Sequence, residues 1–78
     1  MHNTHEFLEK KGYIYDSEFR KEKEAAVSDV RDFFLGESRV TVVKLVDKYQ
    51  VMVYDGKMIH SSDHSSEHLI IQYLKGIL

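Results

Sequence analysis

The chain has 78 residues, no cysteine, 31% charged residues and a formal net charge of −2, which together predict one small domain without disulfides. The near-neutral charge argues against non-specific nucleic-acid binding, and no apolar run reaches the roughly 18 residues of a membrane span. Because the N-terminus has no apolar run behind a basic start, we expect no signal peptide and, with no cysteine present, a cytoplasmic location.

Residues 1–15 predict a short N-terminal helix and an extended linker. Asn3 and Glu6 have the spacing of a capping box at the start of this helix. Gly12 follows two lysines and marks its end, because glycine commonly terminates helices.

Residues 16–35 predict the main helix. Asp16 or Ser17 can cap its start, and Gly36 marks its end. Apolar side chains recur at helical spacing, which predicts a buried stripe formed by Phe19, Ala26, Val30 and Phe33.

Residues 39–60 predict a three-stranded antiparallel meander. The pair Asp55-Gly56 is typical of a two-residue type I′ hairpin turn, which would place Tyr54 opposite Lys57. A second turn at residues 47–48 would complete the meander. Residues 64–76 then predict a C-terminal helix capped by Ser62, Asp63 or Ser65. The expected fold is α+β, with the order α-α-β-β-β-α.

Both faces of the predicted sheet are apolar. Alternation gives a core face with Val40, Val42, Lys44, Val46, Tyr49, Val51, Val53 and Met58. The second face is the predicted partner-binding surface, because an uncovered apolar patch usually marks an interface. Its residues are Val43, Leu45, Met52, Tyr54 and Ile59, with Thr41 and Lys57 at the rim. In an equally weighted alternative, the N-terminal helix covers this second face with Phe7, Leu8, Tyr13 and Ile14.

Three histidines, His60, His64 and His68, are spaced by four residues and are candidates for a zinc site, with the last two on one helix face. A solvated, serine-rich helix start explains the same pattern, and we expect no metal and no other cofactor. Two carboxylate pairs, Glu22 with Glu24 and Asp29 with Asp32, lie among basic residues and indicate a mixed-charge surface. We therefore expect no enzymatic activity.

From Ser17 onward, the predicted order of helix, three antiparallel strands and helix resembles that of double-stranded RNA-binding domains. That resemblance implies nucleic-acid binding through a basic start of the last helix. The corresponding residues 61–67 contain no lysine or arginine, so the chain departs from the family there. The size and element order are also similar to those of small phage-encoded inhibitors, including anti-CRISPR proteins.

The sequence thus favours a non-enzymatic protein–protein interaction module, of the kind that mobile elements use to inhibit or regulate a host protein. Its partner would be another protein or a second copy in a homodimer, with no membrane and no nucleic acid. The alternative function is a nucleic-acid-binding module with the element order of a double-stranded RNA-binding domain but without the basic helix start.

Overall fold

The described part of the chain folds into one five-stranded antiparallel sheet and two helices. A computed structural model describes residues 1–18 and 27–78. In chain order the elements are α1 (His2–Lys10), β1 (Ile14–Tyr15), β2 (Val27–Leu35), β3 (Ser38–Leu45), β4 (Tyr49–Tyr54), β5 (Ile59–His64) and α2 (Glu67–Ile77). The strands lie side by side in sequence order, from β1 to β5. Neither helix is long and apolar enough to cross a membrane.

The prediction of a three-stranded meander with a main helix over residues 16–35 is wrong. Residues 27–35 form β2, which pairs with β3 along its whole length, and residues 14–15 add a further strand at the edge. The rest of the predicted helix, residues 19–26, lies outside the described residues. In VSDVRDFFL, β-branched and aromatic side chains favour a strand, and pairing with β3 outweighs the helical spacing of Val30 and Phe33.

The turn between β2 and β3 explains why the helix prediction failed. Leu35 pairs directly with Ser38, which leaves Gly36 and Glu37 as a two-residue hairpin loop. Gly36 has φ +58°, whereas Glu37 does not have a positive φ, which is the pattern of a type II′ turn. The glycine that looked like a helix end therefore reverses the chain between two strands.

Both predicted chain reversals are present, but each loop is longer than the predicted two residues. The predicted strand registers are therefore wrong by two residues. Tyr54 pairs with Ile59 rather than with Lys57. Asp55 has no positive φ, so the type I′ turn does not form, and only Gly56 takes a positive φ of +97°. At the other hairpin Lys44 pairs with Tyr49. Because the shift is an even number of residues, the side chains that lie within the strands keep their predicted faces, whereas Val46, Lys57 and Met58 lie in the loops.

The last strand runs to His64, and α2 begins at Glu67, capped by Ser66, whose Oγ accepts a hydrogen bond from the Leu69 amide at 3.4 Å. The described elements therefore do not follow the order of helix, three strands and helix. The likeness to double-stranded RNA-binding domains rested on that order, so it no longer holds.

One face of the sheet, here called the covered face, holds the core. Both helices pack on it, and its central valines are fully buried. The core consists of Leu8, Tyr13, Phe33, Val40, Val42, Val51, Val53, Ile70 and Leu74. Four of the side chains predicted for the core face, Val40, Val42, Val51 and Val53, are therefore in the core. The prediction is wrong for Val46 and Met58, which lie in loops and are 80% and 63% exposed.

Helix α1 packs on the covered face and not on the second face. Leu8 is fully buried in the core, and the imidazole of His5 contacts the ring of Phe33 edge-on, with centroids 5.0 Å apart. The alternative in which the N-terminal helix shields the second face is therefore wrong. Ile14, one of the four side chains predicted to cover the second face, is itself 57% exposed.

The start of α1 is held by a residue of α2. Glu67 accepts a hydrogen bond from the Thr4 amide at 3.2 Å and forms an ion pair with the Met1 ammonium at 2.7 Å. Burial raises the pKa of Glu67, but the hydrogen bonds from the ammonium and from the Thr4 and Asn3 amides outweigh it and lower the pKa below 4.5. This one carboxylate thus accepts hydrogen bonds from backbone amides that have no acceptor within the first turn of the helix.

We expect Leu8→Ala to lower the free energy of unfolding by about 2–5 kcal/mol, because it leaves a cavity beneath α1. Leu69→Ala on α2 is the matched control, since Leu69 is 40% exposed, and it should cost less than about 1 kcal/mol. Urea denaturation followed by circular dichroism measures both. Equal effects would show that α1 does not cover the core.

We expect Glu67→Gln to lower the free energy of unfolding by about 1 kcal/mol at pH 7, the usual contribution of a helix cap. Because folding lowers the pKa of Glu67, its contribution is complete above pH 4.5, the ordinary value, and is lost as the pH falls through the folded pKa. The difference between wild type and variant should therefore shrink in urea titrations below pH 4.5. A constant difference down to pH 3 would contradict the role of the charge.

Candidate protein-interaction surface

The second face of the sheet, here called the open face, receives neither α1 nor α2. Its side chains point away from the core valines, because successive residues of a strand alternate between the two faces of a sheet. It carries Val30, Asp32, Phe34, Arg39, Thr41, Val43, Gln50, Met52, Tyr54 and Ile59, and Ile14 at the edge.

A row of five side chains crosses the open face at one end of the sheet. Each residue pairs with the next on the neighbouring strand, so all five point to the same side. This exposed row consists of Ile14, Phe34, Arg39, Tyr54 and Ile59. Its four inter-strand steps span about 19 Å. Ile14 is 57% and Ile59 69% exposed, and Tyr54 and Arg39 are also exposed, whereas Phe34 is half-buried.

The seven residues predicted to bind a partner divide into two groups. Val43 is buried, and Thr41, Leu45 and Met52 are half-buried in the middle of the open face and toward its other end. The exposed residues are Tyr54, Lys57 and Ile59. Tyr54 and Ile59 belong to the exposed row, whereas Lys57 lies in the loop that joins their strands.

A buried carboxylate holds the arginine of the row. Asp32 is 2% exposed and accepts hydrogen bonds from Thr41 Oγ1 at 2.7 Å and from Arg39 Nε at 2.8 Å. Arg39 Nη2 also lies 2.7 Å from Asp32 and 3.5 Å from Asp16. Because several charge-assisted bonds fix the guanidinium, the centre of the row is rigid before any partner arrives.

The loop beside the row is also ordered by a carboxylate. Asp55 Oδ1 accepts hydrogen bonds from the backbone amides of Lys57 and Met58, both at 2.9 Å. These bonds, first that of Met58 and then that of Lys57, together with a hydrogen bond from His60, hold the pKa of Asp55 below its ordinary value. Tyr54 donates its hydroxyl to the Gly56 carbonyl at 3.0 Å, which directs its ring along the loop.

The three candidate zinc ligands are not brought together. His60 lies 3.3 Å from Asp55, His64 packs its ring against Tyr73, and His68 bonds Gln72 on α2. His64 is in β5, so the expectation that it shares a helix face with His68 is wrong. Within residues 1–18 and 27–78 no three histidines or carboxylates are arranged to hold a metal ion.

The two carboxylates Asp29 and Asp32 do not form an acid–base pair, because they lie on opposite faces of the sheet. Asp29 lies on the covered face with Arg31, and Asp32 lies on the open face with Arg39. The pair Glu22 and Glu24 lies outside the described residues.

A cleft of about 470 Å³ opens at the other end of the sheet, between the β3–β4 turn and the starts of the two helices. Three of its charged side chains are held by neighbours: Lys44 donates to the Tyr49 hydroxyl at 3.3 Å, Lys48 pairs with Asp63 at 2.9 Å, and Glu67 binds Met1. The cleft is lined by lysines and carboxylates together, so it does not present charge of one sign to a ligand.

Sequence reasoning missed three residues of the exposed row: Ile14, Phe34 and Arg39. Ile14 was assigned to a linker, Phe34 to a helix, and Arg39 to the start of the sheet. The signal that could have found them is Gly36-Glu37 between two runs rich in β-branched and aromatic residues, which fits a type II′ hairpin. Recognising this hairpin places Phe34 opposite Arg39.

Comparison of the chain with protein-family models, with curated proteins and with solved structures gave no match.

We expect Asp32→Asn to lower the free energy of unfolding by about 2 kcal/mol, because it removes the charge from a buried, hydrogen-bonded carboxylate. Asp29→Asn, the same change on the same strand, should cost less than about 1 kcal/mol, since Asp29 is half-buried and pairs with one arginine. Thermal unfolding at equal ionic strength compares the two variants. A larger loss of stability with Asp29→Asn than with Asp32→Asn would contradict the prediction that the hydrogen bonds of Asp32 with Thr41 and Arg39 stabilise the fold more than the Asp29–Arg31 pair.

Proposed function

We propose that this chain is a non-enzymatic protein–protein interaction module that docks on another protein through the exposed row, and so inhibits or regulates that protein. The observation that carries the proposal is the position of Ile14, Tyr54 and Ile59, which are exposed together on one face of a five-stranded sheet. The absence of cysteine from the sequence favours a reducing, cytoplasmic setting, which we include in the proposal.

The size of the apolar area supports this proposal. Met58, in the adjoining β4–β5 loop, extends the row at the same end of the sheet and is 63% exposed. The β2–β3 and β4–β5 loops are neighbours there, since a Cβ on Gly56 would lie 3.3 Å from Glu37. The row and Met58 together expose apolar surface on the order of 400 Å², within the range of the largest patches on small proteins, which are often functional.

The shape of the surface also supports docking. The row lies on paired strands, so its backbone is fixed by hydrogen bonds on both sides in β2, β3 and β4. Tyrosine and arginine at its centre are residue types that often dominate binding energy. A rigid, apolar surface with a fixed arginine loses little entropy on binding.

The alternative of nucleic-acid binding has less support from the described surface. The arginine of the row is paired with Asp32 and Asp16, and Lys48 in the cleft is paired with Asp63. Phosphate binding depends on unpaired positive charge. We therefore keep protein docking as the proposed function.

We expect Ile59→Asp to abolish partner binding while leaving the fold intact, because Ile59 is 69% exposed and its replacement creates no cavity. The wild type and the variant would serve as parallel baits in a lysate of the cells that make the protein, with quantitative mass spectrometry. Leu69→Asp is the matched control, since Leu69 is an exposed leucine on α2. A specific partner is retained by wild type and control and is lost with Ile59→Asp.

Two other outcomes would contradict docking on a different protein. If every retained protein binds the Ile59→Asp variant equally, the row is not the interface. If sedimentation shows a wild-type dimer that Ile59→Asp converts to a monomer, the partner is a second copy of this chain.

A further inference from the structure

The charged residues around the exposed row are mostly acidic. Asp16 contacts Arg39, and Glu18 follows it, with its amide on the Asp16 carboxylate at 3.2 Å. At the loops, Glu37 lies two residues before Arg39 in the chain, and Asp55 directly follows Tyr54. These four carboxylates, here called the acidic border, are Asp16, Glu18, Glu37 and Asp55.

The positive charges near the row do not balance the acidic border. Arg39 is held by the buried carboxylate of Asp32, so this pair is neutral as a unit. Among the described residues that adjoin the row, Lys57 is the cation without an ion pair of its own, while His60 bonds Asp55. Among residues 1–18 and 27–78, the charged groups around the apolar side chains therefore have an excess of negative charge.

We infer that the partner presents an apolar protein segment bordered by lysine or arginine side chains. This inference rests on the proposed function, because it names the chemistry of the protein that the exposed row receives. Basic side chains around an apolar centre would complement the acidic border and would accelerate encounter. An acidic segment would be repelled by the same carboxylates.

The same charges disfavour two other occupants. A second copy docked face to face would bring two acidic borders together, and like charges at an interface reduce affinity. A nucleic acid would bring phosphates against the carboxylates, where the described part of the chain offers Lys57 as the compensating cation. Both occupants are outcomes that the experiment must separate.

The experiment uses a phage-displayed library of random peptides, selected against the folded wild-type chain. Each enriched peptide is synthesised, and its affinity is measured for wild type and for Ile59→Asp. We expect the peptides that lose binding with Ile59→Asp to combine apolar residues with an excess of lysine and arginine. Raising the salt from about 50 to 500 mM should weaken them roughly tenfold, because salt screens exposed charges.

A pair of double variants tests the acidic border directly. Glu18→Gln with Glu37→Gln removes two of its charges, and we expect affinity for these peptides to fall roughly fivefold. Glu6→Gln with Glu9→Gln is the matched control: it removes the same charge from exposed positions on α1, which packs on the covered face. Affinity should not change with the control.

The outcomes separate this inference from the proposed function. Row-dependent peptides that are neutral or acidic, or that ignore salt and the Glu18 and Glu37 changes, overturn the inference and leave docking at the row intact. A wild-type dimer, or a duplex RNA complex, that is lost with Ile59→Asp also overturns it. If no selected peptide depends on Ile59, the proposed function fails, and the inference fails with it.

Discussion

A single layer of strands has two faces, and in this protein both helices pack on the same one. The hydrophobic core forms where α1 and α2 meet the valines of β3 and β4, and neither of these two helices packs on the opposite face. A small chain would lose stability by exposing many large apolar side chains. The open face is therefore mixed: Val43 and Asp32 are buried in its middle, and the exposed apolar residues are concentrated at one end. That concentration is what makes the end a distinct surface.

The parts of the fold that the sequence predicted depend on local signals. Alternation placed Val40, Val42, Val51 and Val53 correctly, because a strand keeps its faces even when its register shifts by two residues. The identity of β2 could not be predicted in the same way, because Val30 and Phe33 fit a helix locally and join a strand only through pairing with β3. Ile14 and Phe34 were missed for that reason, whereas Tyr54 and Ile59 lie in strands with clear turn signals.

Arg39 shows how a polar residue can belong to an apolar surface. It lies between Phe34 and Tyr54 in the row, and Asp32 beneath it balances its charge. A buried carboxylate costs free energy unless hydrogen bonds replace its water, and Thr41 and Arg39 supply them. The cluster can therefore specify one arrangement of the surface without adding a cation to it. Because Arg39 and Asp32 cancel each other's charge, the negative charge at this end of the sheet comes from the acidic border.

The carboxylate of Glu67 has a consequence for how the molecule assembles. It completes the first turn of α1, yet it lies 63 positions further along the chain than the Thr4 amide it binds. On the ribosome, α1 therefore emerges long before the group that secures it, and its final docking must wait until the strands between have been made. Contacts between such distant positions slow folding. The first helix to be synthesised is thus among the last parts of the protein to become firmly attached.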